Sequence, residues 1–143
     1  APAEAPVPAS PAPAARPEPP AVVPGGFGAG VFTPLLEWAC RAASADSAFL
    51  LDPHGLVVAA VGSLGPEEAE ACGARLMIAL DHARALSADG GAETTVAVES
   101  GEVVLTAFAA TASDGIPFTV GLAGPAPVAR PVRDALRRAL AGS

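Results

Sequence analysis

The segment from Pro66 to Ser87, PEEAEACGARLMIALDHARALS, constrains this chain more than any other stretch of it. At helical spacing Ala69, Cys72, Gly73, Leu76, Ala79, Leu80, Ala83 and Leu86 fall on one side, with Glu67, Glu70, Arg75, Asp81, His82 and Arg84 on the flanks and the opposite side. Met77 widens the apolar arc to nearly half the circumference, more than the roughly 100° stripe with which a helix covers one side of a sheet. Something besides its own sheet is therefore expected to touch it. The start is well signalled, with Gly65 ahead of Pro66 at the first helical position and Glu67 and Glu68 near the positive end of the helix dipole.

Short apolar runs lie on either side. Before it, SAFLLD (Ser47 to Asp52) and LVVAAV (Leu56 to Val61) flank Asp52-Pro53-His54-Gly55, a turn sequence, and so form a hairpin. After it, the break at ADGG (Ala88 to Gly91) leads to TTVAVE (Thr94 to Glu99) and VVLTAFA (Val103 to Ala109), which flank Ser100-Gly101-Glu102 as a second hairpin. Asp114-Gly115 then turns into a fifth strand, PFTVGLAG (Pro117 to Gly124). Two more helices close the pattern. Phe32, Leu35, Leu36, Ala39 and Ala43 repeat at helical spacing over Phe32 to Ala45, and Val132, Ala135, Leu136, Ala139 and Leu140 do so over Val128 to Ala141. LVVAAV and VVLTAF are apolar at successive positions, as strands covered on both faces are. The expected fold is α/β in the α+β sense: a five-stranded, mostly antiparallel sheet in the order α-β-β-α-β-β-β-α. The first and last helices share one face, and the long helix takes the other.

One domain is expected, over residues 31–143. Residues 1–30 comprise a Pro-rich stretch, Ala1 to Pro24, that cannot bury apolar area and reads as a disordered tether, and GGFGAG (Gly25 to Gly30), which reads as a hinge. Arg16 with Pro17 to Pro20 is also a conceivable ligand for an SH3-type groove. GGFGAG superficially resembles a nucleotide-binding loop, but no strand precedes it. The net charge is −7 and all eight basic residues are arginines, which gives no basic surface for nucleic acid. No apolar run approaches the ~20 residues that span a bilayer, so no membrane insertion is expected, and a cytoplasmic protein is the simplest reading.

The order of elements, together with LLDPHGLVVAAVG, TTVAVESGEVVLTAFAA and IPFTVGLAG, resembles the roadblock/dynein light-chain family over about Phe32 to Ala141. The likeness rests on the D-x-x-G turn of Asp52 and Gly55, on Gly62 ending the second strand, and on the apolar spacing. It implies a homodimer in which the long helices pair and the third strands join edge to edge. It also implies a partner, a Ras-like small GTPase whose nucleotide state is controlled, as a GTPase-activating protein or scaffold does in bacterial polarity or gliding motility. The alternatives are a profilin-like ligand-sensing domain, or a structural dimerisation module of a larger protein.

Candidate sites follow. The dimer is expected to use Thr95 and Ala97 on the third strand, and Ala69, Gly73 and Leu80 on the long helix, where small residues four apart let two backbones come close. Partner binding is assigned to Ile78, opposite the apolar stripe, with Met77, Arg75 and Arg84 around it. No catalytic, metal or cofactor site is expected. Cys40 and Cys72 read as buried thiols rather than nucleophiles or a disulfide, His54 and His82 as solvated, and Glu67, Glu68 and Glu70 as a helix start.

Overall fold

The computed structural model describes residues 18–21, 29–86 and 94–142. Its elements are α1 (Ala29–Ala43), β1 (Ser47–Leu51), β2 (Val57–Gly62), α2 (Pro66–Ala85), β3 (Thr95–Ser100), β4 (Val103–Thr111), β5 (Pro117–Gly124) and α3 (Arg130–Ala141). This is the order read from the sequence. Helix α1 begins at Ala29, so the last two residues assigned to a hinge are helical. The rest of GGFGAG, most of the Ala/Pro stretch and the ADGG break lie outside the described residues.

The strands form one sheet in the order β2-β1-β5-β4-β3, and every pairing is antiparallel. Side-chain oxygens shape its turns. Asp52 Oδ1 accepts from the backbone N–H of His54 at 2.8 Å and of Leu56 at 3.0 Å, while Gly55 takes the left-handed conformation at φ +88° that closes the turn. Gly62, at φ +96°, is required twice over, because a Cβ there would also strike the Asp46 carbonyl and lie 2.7 Å from Ser47 Cα. Beyond it, the Leu64 N–H donates to Ser47 Oγ at 2.9 Å and the Gly65 N–H to Glu68 Oε1 at 3.1 Å, which fixes where α2 departs.

Helices α1 and α3 pack against the face bearing Ala48, Leu50, Ala59, Phe108, Val120 and Leu122, and bury Leu35, Leu36, Trp38, Val132 and Leu136 there. Among the described residues helix α2 alone covers the other face, over Phe49, Leu51 and Ala107. It leaves one edge strand, β2, and delivers the chain to the other, β3, so it crosses the sheet and touches all five strands. Its twenty residues give about 30 Å of helix, against roughly 19 Å for four strand spacings. The sheet is thus crossed in a single element.

Ala69, Gly73 and Leu80 do not point outward to a second helix. All three are buried within their own chain, on the side of α2 that faces the sheet. A Cβ built on Gly73 would collide with the Leu51 methyls, one of them 2.9 Å away. The seam assigned to these residues is therefore corrected: Leu80 is buried in its own chain, and the smallness of Ala69 and Gly73 serves the approach of α2 to the sheet. Leu76 is buried beside them. Gly73→Leu should consequently damage the isolated domain, costing about 3 kcal/mol in urea unfolding through overpacking. An unchanged midpoint would show that α2 sits further from the sheet.

Candidate partner-binding surface

Because α2 turns Ala69, Gly73, Leu76 and Leu80 inward, the opposite side presents Glu67, Ala71, Ala74, Ile78 and Ala85, of which Ile78 is the one large apolar side chain. Ile78 keeps 60% of its surface in water among short neighbours. Beside it, Met77, Ile78, Leu80, Asp81, Arg84 and Thr119 line an open cleft of about 240 Å³ between the C-terminal half of α2 and β5. Three of the four residues assigned to partner binding thus share one concavity. The fourth, Arg75, is exposed but does not line it; it lies near Cys72, whose thiol it acts on electrostatically. The sequence reading lacked the floor of the cleft, Thr119, because only the pairing of Leu51 with Thr119 brings β5 beneath this end of α2.

A second surface lies along β3, an edge strand as the expected dimer requires. Thr95 is half-buried, and Ala97 to Ser100 are exposed. Pairing with Phe108, Thr106 and Val104 puts Thr95, Ala97 and Glu99 on the α3 side, while Val96 and Val98 share the α2 side with Leu105 and Val103. On the α3 side lies a feature that the apolar spacing of that helix did not disclose. Arg137 stacks over the Phe108 ring, 4.9 Å from its centre, and its Nε donates to the Ala109 carbonyl at 3.2 Å and Nη1 to Asp134 Oδ1 at 3.3 Å. Arg133, one turn earlier, donates from Nη1 to the Val128 carbonyl at 2.6 Å. Burial, with Arg137 and Arg130 adding repulsion, pushes the Arg133 pKa down. The signal was available as two arginines four apart, bordering the apolar stripe.

The thiols stand apart, Cys40 on α1 and Cys72 on α2, on opposite faces of the sheet, and both are free. Burial raises the pKa of each, reinforced at Cys40 by Asp46 and opposed at Cys72 by Arg75, so neither is primed as a thiolate. Among the described residues no three His, Cys, Asp or Glu side chains gather as metal ligands, and no helix is long and apolar enough to cross a membrane.

Among solved structures, MglB in a tetrameric arrangement matches with a TM-score of 0.63 at 21% identity, covering 87% of this chain and 94% of that one. The gliding protein MglB of Thermus thermophilus matches with a TM-score of 0.62, again at 21% identity, over 87% of this chain and 95% of its own. The chain has the MglB fold. Myxococcus xanthus MglB is similar too, with a TM-score of 0.51 at 14% identity over 71% of this chain and 81% of its own. No protein-family model and no curated protein matches the sequence. The roadblock-like architecture that the sequence resembles is therefore established as a fold of the MglB type.

Within that fold, the inner and outer sides of α2 should respond differently to substitution. Leu76→Ala should lower unfolding stability by about 3 kcal/mol, while Ile78→Asp should change it by less than about 0.5 kcal/mol. Equal losses in denaturant titration would show that Ile78 is covered within the single chain.

Proposed function

We propose that this chain is a non-catalytic, homodimeric cytoplasmic regulator or scaffold that binds a Ras-like small GTPase through the outer side of α2 and modulates its nucleotide state. The observation that carries the reading is Ile78, prominent among alanines on the outer side of α2 and adjoining a cleft edged by Met77, Asp81 and Arg84. An apolar anchor with a polar rim is the anatomy of a protein contact. The fold shared with a gliding protein supports this reading, and the tetrameric arrangement of one MglB supports self-association. In the proposed dimer Thr95 and Ala97 lie at the strand junction, and α2 offers its flank of Cys72, Ala79 and Ala83 to the copy in place of the residues its own sheet buries. The cleft is open and, at about 240 Å³, smaller than the roughly 300–1,000 Å³ of small-molecule sites, which counts against a ligand sensor.

The test is capture of purified Ras-like GTPases from the same genome, each in both nucleotide states. Ile78→Asp, in protein still dimeric by light scattering, should weaken binding by about 2 kcal/mol, roughly 30-fold. Undiminished binding by that variant would remove this surface, and failure of the wild type to retain any such GTPase would remove the partner.

A further inference from the structure

Among the described residues, three side-chain polar atoms are shut off from water with no hydrogen-bond partner: Thr95 Oγ1, Arg133 Nε and Arg137 Nη2. Buried polar groups are nearly always paired, so each orphan calls for an explanation. These three belong together. Thr95 is directly opposite Phe108, the ring under Arg137, and Arg133 is one turn of α3 away on the same flank. Thr95 opens β3, whose outer side has no neighbouring strand among the described residues, and Arg137 reaches it over Phe108 of the adjacent β4. What this corner lacks is an acceptor, and beside two arginines the fitting one is a carboxylate.

The same strand carries one. Glu99 is exposed, lies on the same side of the sheet as Thr95, and makes no ion pair among the described residues of its own chain. When β3 pairs with its own copy antiparallel about a two-fold axis normal to the sheet, opposed residues must share a face, so the axis passes through a single residue. With the axis at Ala97, Thr95 faces Glu99 of the copy and Glu99 faces the copy's Thr95. With the axis at Val98, Glu99 faces the copy's Ala97 and the two glutamates draw together across the axis, a like-charge arrangement that disfavours pairing. With the axis at Val96 the paired length shrinks to little beyond Thr95, Val96 and Ala97.

We infer that β3 pairs with a second copy in the register centred on Ala97, and that the Glu99 carboxylate of each chain completes the other's Thr95–Arg133–Arg137 corner. The Thr95 hydroxyl reaches it by a turn about χ1, and the Arg137 side chain, 20% exposed, can turn Nη2 towards it while its ring stack persists. The corner is incomplete in one chain and closed twice in two. This rests on the homodimer of the proposed function, but the choice of register, the role of Glu99 and that of the α3 arginines are additional to it.

Two measurements on the full chain decide it, neither using a GTPase. Sedimentation equilibrium of Glu99→Lys should show dimer affinity weakened roughly 30-fold or more with an unchanged circular dichroism spectrum, since Glu99 has no ion pair to lose in its own chain. Thr95→Cys with Glu99→Cys, in a chain whose Cys40 and Cys72 are replaced by alanine, should form an interchain disulfide between positions 95 and 99 on mild oxidation, located by peptide mass spectrometry. The two cysteines are too far apart along one strand to join within a chain. A wild-type dimer whose Glu99→Lys variant dissociates no more readily, or whose cysteine pair does not cross-link, overturns the inference and leaves the partner reading intact. A wild type that stays monomeric at tens of micromolar overturns it as well, whereas GTPase capture bears only on the partner.

Discussion

The close seat of α2 on the sheet governs the rest of the molecule. It depends on missing side chains: Gly73 leaves room for the Leu51 methyls, Gly121 leaves room for the Phe49 ring, and Ala69 and Ala107 add little bulk between the layers. Phe49 and Leu51 are the large side chains that the sheet buries fully at that interface. A close-packed contact of this kind tolerates little added volume. Because the inner positions are fixed by it, the helical repeat leaves Ile78 on the outer side without any direct contact forcing it there.

The two faces of the sheet are built unequally as a result. The α1/α3 face holds Trp38, Phe108 and a broad set of buried aliphatic residues, and most of the domain's apolar burial lies there. The α2 face has a narrow buried centre with a rim of Val57, Leu64, Cys72, Met77 and Leu105 that is only partly covered. Val98 and Val103 continue that rim to the β3 edge, each about 40% exposed. Covering such a rim buries apolar surface at no cost to the existing core, so the thin face is the one suited to association.

Much of this was legible in the sequence, and what was not has identifiable causes. The element order and the placing of helices on both faces followed from apolar runs, turn residues and the double-sided apolarity of LVVAAV and VVLTAF. The rotation of α2 did not follow. An apolar arc half the circumference wide fixes the inward side only loosely, and Gly73 could pack against another helix or against Leu51; the choice lies in a contact with a strand well upstream in the chain. The exposure of Ile78 was read correctly because it sits near the middle of the polar side, where a modest rotation changes little. Thr119 and the Arg137–Phe108 stack were out of reach, since both arise from strand neighbours distant in sequence.

The acidity of the chain gives its few cations positional meaning. With a net charge of −7 and no lysine, four of the eight arginines lie on α3, and one of them, Arg137, stacks on Phe108, the residue paired with Thr95 of β3. An edge strand ordinarily repels a copy of itself through lysine, proline or an inward charge, and β3 has none of these; its one charge, Glu99, is directed along the α3 side. An edge flanked by arginines and carrying a single glutamate two residues from Ala97 does not discourage pairing in general. It disfavours the register that brings the glutamates together and favours the one that brings each to the other's arginines, so a feature that would blunt an edge elsewhere acts here to select how the edge is used.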